Sequence, residues 1–156
     1  DQPKHKKTGS HLMNHIVRLS NRTHAIGDNI FTCAYPTSRI TKRDGKTLMK
    51  FCCTYYSGKL IEEYPNGRDQ SMIPNHCWRT DMHIHGAASG GPVFDDEGRV
   101  MAINNSSFKD EPNLSFVSTL SHVNNFRISR LNIPGCDKTT FEFRELVSIG
   151  IINMSS

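Results

Sequence analysis

The sequence predicts an all-β fold, an antiparallel β-barrel of six or seven strands with a short C-terminal helix. Two observations predict it. Apolar and aromatic runs of strand length recur along the chain, separated by glycine- or proline-bearing turn signals. Only one late stretch carries a helix start, Thr139 followed three residues on by Glu142, the spacing of a capping box. Closing such strands into a barrel removes the exposed edges that an open antiparallel sheet would leave. At 156 residues the chain is long enough to bury one core without covalent staples.

Taken in order, residues 1–14 are polar, charged and aperiodic, and are expected to form a disordered tail. Within them Gly9-Ser10-His11-Leu12-Met13 resembles a cloning-tag remnant. His15 to Leu19 is a short apolar run, a strand or connector. Asn29 to Tyr35 reads as a strand closed by Pro36. Lys42-Arg43-Asp44-Gly45-Lys46 carries an Asp-Gly turn. Leu48 to Tyr56 reads as a central strand. Ser57-Gly58 is expected to turn it, so that Lys59 to Tyr64 pairs back and ends at Pro65-Asn66-Gly67. Pro92-Val93-Phe94 and Val100 to Asn104 form a hairpin across Glu97-Gly98, and Leu114 to Ser118 reads as the last strand. Thr139 to Val147 holds the helix. The barrel is placed at residues 15–125 and a C-terminal extension with the helix at 126–156.

The stretch His85-Gly86-Ala87-Ala88-Ser89-Gly90-Gly91-Pro92 carries the chemistry. A nucleophilic serine needs a sharp backbone turn that presents its hydroxyl and aims neighbouring N–H groups at a developing oxyanion. Glycine permits such dihedrals and a close substrate approach. By turn chemistry alone the same residues also fit a surface turn leading into a strand.

Context distinguishes the two. Ser89-Gly90-Gly91-Pro92-Val93-Phe94, then Asp95-Asp96-Glu97-Gly98 and Arg99 to Asn104, resembles the serine-bearing hairpin of trypsin-like serine proteases, nearest their Deg-type branch. Ala25 to Pro36 is similar to the strand that opens that family's second barrel, and Thr80-Asp81 precedes Ser89 as a Thr-Asp pair does in Deg-type members. The resemblance runs from about Ala25 to Val123. It implies the second barrel of a serine endopeptidase, with Ser89 as nucleophile and the backbone N–H groups of Ser89 and Ala87 as oxyanion hole. It also implies that His83 and His85 wall the specificity pocket, and that Asn105, Ser106 and Ser107 form the edge that pairs with substrate backbone. The family usually has glycine where Ala87 stands and Asp or Asn where Ala88 stands. Its catalytic His and Asp come from a first barrel, and its histidine motif is absent from this chain. A peptide or protein substrate and a first-barrel fragment are therefore the expected partners, and a non-catalytic peptide-binding barrel is the alternative.

The remaining composition bounds other functions. The formal charge is +4, and the only Lys/Arg run is Lys4-His5-Lys6-Lys7. A nucleic-acid surface needs cations clustered on a face or interleaved with stacking aromatics, so no nucleic-acid partner is expected. No apolar run reaches membrane-spanning length, and no membrane partner is expected either. Five cysteines without CxxC spacing argue against a disulfide framework and read as buried, reduced thiols, which weakly favours an intracellular setting. His76, Cys77, His83 and His85 are zinc-type ligands in a spacing that matches no structural-zinc pattern, so no metal and no cofactor is expected.

Overall fold

The computed structural model describes residues 17–84, 88–108 and 111–155. Its strands are β1 (Arg18–Ser20), β2 (Asn29–Ala34), β3 (Arg39–Arg43), β4 (Lys46–Lys50), β5 (Thr54–Tyr64), β6 (Cys77–Thr80), β7 (Pro92–Phe94), β8 (Val100–Phe108), β9 (Glu111–Thr119), β10 (Arg127–Ser129), β11 (Thr140–Glu142) and β12 (Asn153–Ser155). One α-helix, α1 (Phe143–Ser148), follows β11. Strands β8, β7, β2, β5, β6 and β9 pair in that order, and β9 pairs again with β8, which closes a six-stranded antiparallel barrel. The predicted all-β barrel with a short C-terminal helix is what the chain forms. Two further strands, β1 and β12, continue the sheet from β8 as parallel neighbours.

The barrel closes because alternate residues of each strand are apolar. Ile30 and Ala34 of β2 point inward, as do Tyr56 and Leu60 of β5, Trp78 of β6, Val93 of β7 and Val117 of β9. Ile30, Leu60 and Val93 are wholly excluded from solvent. Each such side chain contributes about 1.5–3 kcal/mol on burial. A second cluster under the loop after β5 joins Ile73, Cys77 and Phe116, with Arg68 lying 4.8 Å over the Phe116 ring.

Five expectations are corrected. Leu48 to Tyr56 is not one strand, because residues 39–50 close their own two-stranded ribbon through Asp44-Gly45. Both turn residues take positive φ, 51° and 71°, as a two-residue hairpin turn requires. Ser57-Gly58 does not turn the chain but lies within the continuous β5. There Gly58 faces inward, and a Cβ on it would strike Asp81 Oδ1 and the Met82 side chain. This glycine serves close approach instead of reversal. The helix begins three residues later than predicted, since residues 140–142 are drawn into pairing with β10. Its capping box is Glu142 with Glu145, whose carboxylate accepts from the Glu142 N–H at 2.7 Å. Nor is the segment from Leu114 to Ser118 the last strand, since β10 to β12 follow β9. All five cysteines are free, but only Cys77 is buried, while Cys53 and Cys136 are exposed.

Candidate active site

Ala88, Ser89, Gly90 and Gly91 make a tight turn between the core and β7. Ala88 is 4 % exposed and packs in the barrel interior. A polar residue at this position would be buried, which gives a packing reason for alanine here. Gly91 N–H donates to the Ala88 carbonyl at 3.0 Å, and Gly90 holds φ at 85°, a value costly for residues with a Cβ. The turn is clamped to β8 by Gly90 N–H on the Asn104 carbonyl (2.8 Å) and Asn104 N–H on the Gly91 carbonyl (2.9 Å). Ser89 is thereby lifted into solvent, and its hydroxyl donates to the Asn105 carbonyl at 2.8 Å.

A buried polar chain supports this turn from below. Asn104 Nδ2 donates to Thr32 Oγ1 at 2.7 Å, and Thr32 Oγ1 donates to the Pro92 carbonyl at 2.6 Å. Both side chains are almost completely buried, so the two bonds satisfy groups that would otherwise be costly to desolvate. The motif pointed to the hairpin but not to this support, because Thr32 and Asn104 are 72 residues apart. Asn105 is further fixed by Nδ2 donating to Ser118 Oγ at 2.9 Å.

The other anticipated residues are placed as follows. Asn105 and Ser106 lie on β8 directly beside the serine turn, and Ser107 continues the same strand. The buried Ser106 Oγ has no hydrogen-bond partner among the described residues. His83 sits in an extended stretch where Met82 and Ile84 are buried and Asp81 and His83 are exposed. Asp81 is occupied structurally, because its Oδ1 accepts the Lys59 N–H at 2.6 Å. His85 and Ala87 lie outside the described residues. No imidazole among the described residues hydrogen-bonds Ser89. His76 pairs with Glu63 at 2.8 Å while the neighbouring Cys77 faces the core, so this pair does not converge on one point.

A second serine–histidine–carboxylate array lies at the rim of a 270 Å³ cavity between β1, β6, β8 and β9. Ser20 Oγ is 3.2 Å from His24 Nε2, and His24 Nδ1 is 3.4 Å from Asp28 Oδ2. The Ser20 proton, however, is donated to Asp95 Oδ2 at 3.0 Å, so His24 does not receive it. Burial chiefly, with the Arg22 charge, holds the His24 imidazole below its ordinary pKa, against the opposing pull of Asp28 and Asp95. The folded protein therefore takes up this proton less readily than the unfolded chain. The stability due to His24 is complete above the free-histidine range near about 6.5 and declines as the pH falls below it. Thermal midpoints of the wild type are expected to drop between pH 7.5 and 5, and His24→Gln is expected to flatten that part of the profile.

Comparison with known proteins bears on the fold. A family model described as the trypsin-like peptidase domain matches residues 15–103. Among solved structures, the HtrA-type protease AlgW with a decapeptide aligns at TM-score 0.50 and 19% identity, over 71% of this chain and 31% of that one. Deg5 aligns at TM-score 0.46 and 21% identity, over 74% and 47%. Rv3671c from M. tuberculosis H37Rv, in its inactive form, aligns at TM-score 0.48 and 18% identity, over 66% and 47%. The chain thus spans about half or less of the length of these structures, and at such identities the likeness concerns the fold. No curated protein matches the chain.

Proposed function

Because the chain belongs to the trypsin-like peptidase family, whose model covers residues 15–103, we propose that it is the nucleophile-bearing barrel of a serine endopeptidase. The observation that carries this reading is the solvent-facing Ser89 hydroxyl on a turn clamped to β8 by paired main-chain bonds. Ser89 Oγ attacks the carbonyl carbon of a peptide bond, an imidazole takes its proton, and the amine leaves with that proton. Water then cleaves the resulting ester. The N–H groups of Ser89 and Ala87 receive the oxyanion, His83 and His85 wall the side-chain pocket, and the β8 residues Asn105 to Ser107 pair with the substrate backbone. The base and its carboxylate come from a first barrel, on another segment or another chain. In the isolated barrel Ser89 gives its proton to a carbonyl, which cannot act as a base, so the 156 residues alone are close to inactive.

The same hydrogen bond favours the second reading, a peptide-binding barrel without catalysis. Fluorophosphonate labelling read by mass spectrometry separates the two. The isolated chain is expected to label Ser89 negligibly, and material isolated from the native source, with whatever chain or segment accompanies it, is expected to label stoichiometrically. If the native material also leaves Ser89 unlabelled, the peptidase reading fails and the binding reading stands.

A further inference from the structure

The cations between Arg39 and Lys50 are near neighbours in sequence, and the β3–β4 ribbon sets most of them on one face. Its register sets Arg39 opposite Lys50, Thr41 opposite Leu48 and Arg43 opposite Lys46. Directly opposed and alternate residues share a face. Arg39, Arg43, Lys46 and Lys50 therefore stand on one face, with Lys42 on the other. Every residue of both strands is exposed. The one acidic side chain in the ribbon, Asp44, lies 3.8 Å from Arg43, and both are more than four-fifths exposed, too solvated to neutralise much. Two directly opposed like-charge pairs destabilise a two-stranded ribbon that is already marginal by itself.

Aromatic rings crowd the foot of the same ribbon. Along β2 the residues between inward Ile30, Thr32 and Ala34 face outward, and they are Phe31 and Cys33, with Tyr35 just beyond. Tyr55 lies opposite Cys33, and its ring stacks on Phe31 at 5.9 Å. Phe51, directly after Lys50, meets Tyr35 edge-on at 6.1 Å. Tyr35, Phe51 and Tyr55 are 52%, 66% and 64% exposed. An exposed cationic ribbon with solvent-open rings at its root is the combination that holds a phosphate backbone while unpaired bases stack.

We propose that the cationic face of the β3–β4 ribbon and its aromatic foot bind single-stranded nucleic acid. Phosphates lie along Arg39, Arg43, Lys46 and Lys50, and bases stack on Phe51, Tyr55 and Tyr35. A duplex would satisfy the cations but offer the rings no free base. An acidic polypeptide would answer the charge and leave the rings without planar partners. A bilayer would meet the charged tip, Arg43-Asp44-Gly45-Lys46, before the exposed Leu48, Ile40 and Met49 further along the ribbon and the rings at its root. The inference is independent of the peptidase reading.

The test is fluorescence anisotropy of the full chain with labelled 20-mers of uridine and thymidine, a duplex of equal length, and a poly-glutamate peptide, between 50 and 200 mM salt. Saturable binding of the single strands is expected, with log affinity falling against log salt at a slope of about −3, the value for four neutralised phosphates. Arg43→Glu with Lys46→Glu is expected to weaken binding at least about tenfold and flatten the slope. Phe51→Ala with Tyr55→Ala is expected to weaken it at least about thirtyfold and leave the slope unchanged. Circular dichroism checks that each variant keeps its strand signal. Absence of single-strand binding at 50 mM salt overturns the proposal, as does equal binding of duplex or poly-glutamate. So do folded variants that bind like the wild type.

Discussion

Ser89→Ala is expected to reduce peptidase activity of the complete enzyme by about 10⁶-fold in kcat while leaving the barrel folded. A loss of that order follows when the nucleophile of a serine–histidine–carboxylate unit is removed, since the remaining members then have nothing to activate. The structural change is small, because the exposed hydroxyl makes one hydrogen bond, to the Asn105 carbonyl, and water can replace it. Stability is therefore expected to stay within about 1 kcal/mol of wild type. Turnover of a peptide substrate by native material, set beside a denaturation curve, checks both halves. An unchanged rate would remove Ser89 from the mechanism.

Asp95→Ala is expected to be the most destabilising single change, by about 3–5 kcal/mol. Asp95 is 1 % exposed and Arg99 5 %. The carboxylate accepts from the N–H groups of Glu97 (3.0 Å) and Arg99 (2.9 Å), from Arg99 Nε (3.0 Å) and from Ser20 Oγ (3.0 Å). Removing it strands a buried guanidinium whose other carboxylate, Glu97, lies on the exposed rim at 2.7 Å. Burial by itself would raise the Asp95 pKa, but the Arg99 amide, the Arg99 side chain and the Ser20 hydroxyl outweigh it and hold the group below the ordinary carboxylate value. The folded protein thus releases this proton more readily than the unfolded chain. The stabilisation is complete above about pH 4 and disappears as the pH falls through the lower folded value. Urea midpoints of wild type and variant should differ widely at pH 7 and converge in strong acid.

How much was legible depended on sequence distance. The Ser89 hairpin is local: Gly90 and Gly98, both at positive φ, sit where the motif places its turns. The barrel followed from period-2 alternation and was equally readable. Glycine misled at Ser57-Gly58, because the same residue signals a reversal and a crowded crossing, and only the position of Asp81 and Met82 decides between them. The capping box read at Thr139 and Glu142 moved to Glu142 and Glu145, because the pairing of Phe141 with Ile128 claimed residues 140–142 as strand. The buried Thr32–Asn104 link and the convergence of Ser20, Asp95 and Arg99 could not be read locally at all. Thr32 and Asn104, and Ser20 and Asp95, are far apart in sequence and meet only through the tertiary fold. The cationic ribbon was missed for the opposite reason, since its charges are near neighbours whose shared face exists only in the paired register.

The pairing of β1 with β12 has a kinetic consequence. Arg18 to Ser20 is bridged on one side to β8 only at Leu19–Val100, and on the other by a full register with Asn153 to Ser155. A strand near the beginning of the described residues therefore gains most of its ladder from a segment far along the chain from it. Closing so long a loop is entropically slow, and it comes after the six-stranded barrel has its own partners in place. The edge that carries Ser20 toward Asp95 is thus expected to be the last part of the molecule to become protected from hydrogen exchange during refolding.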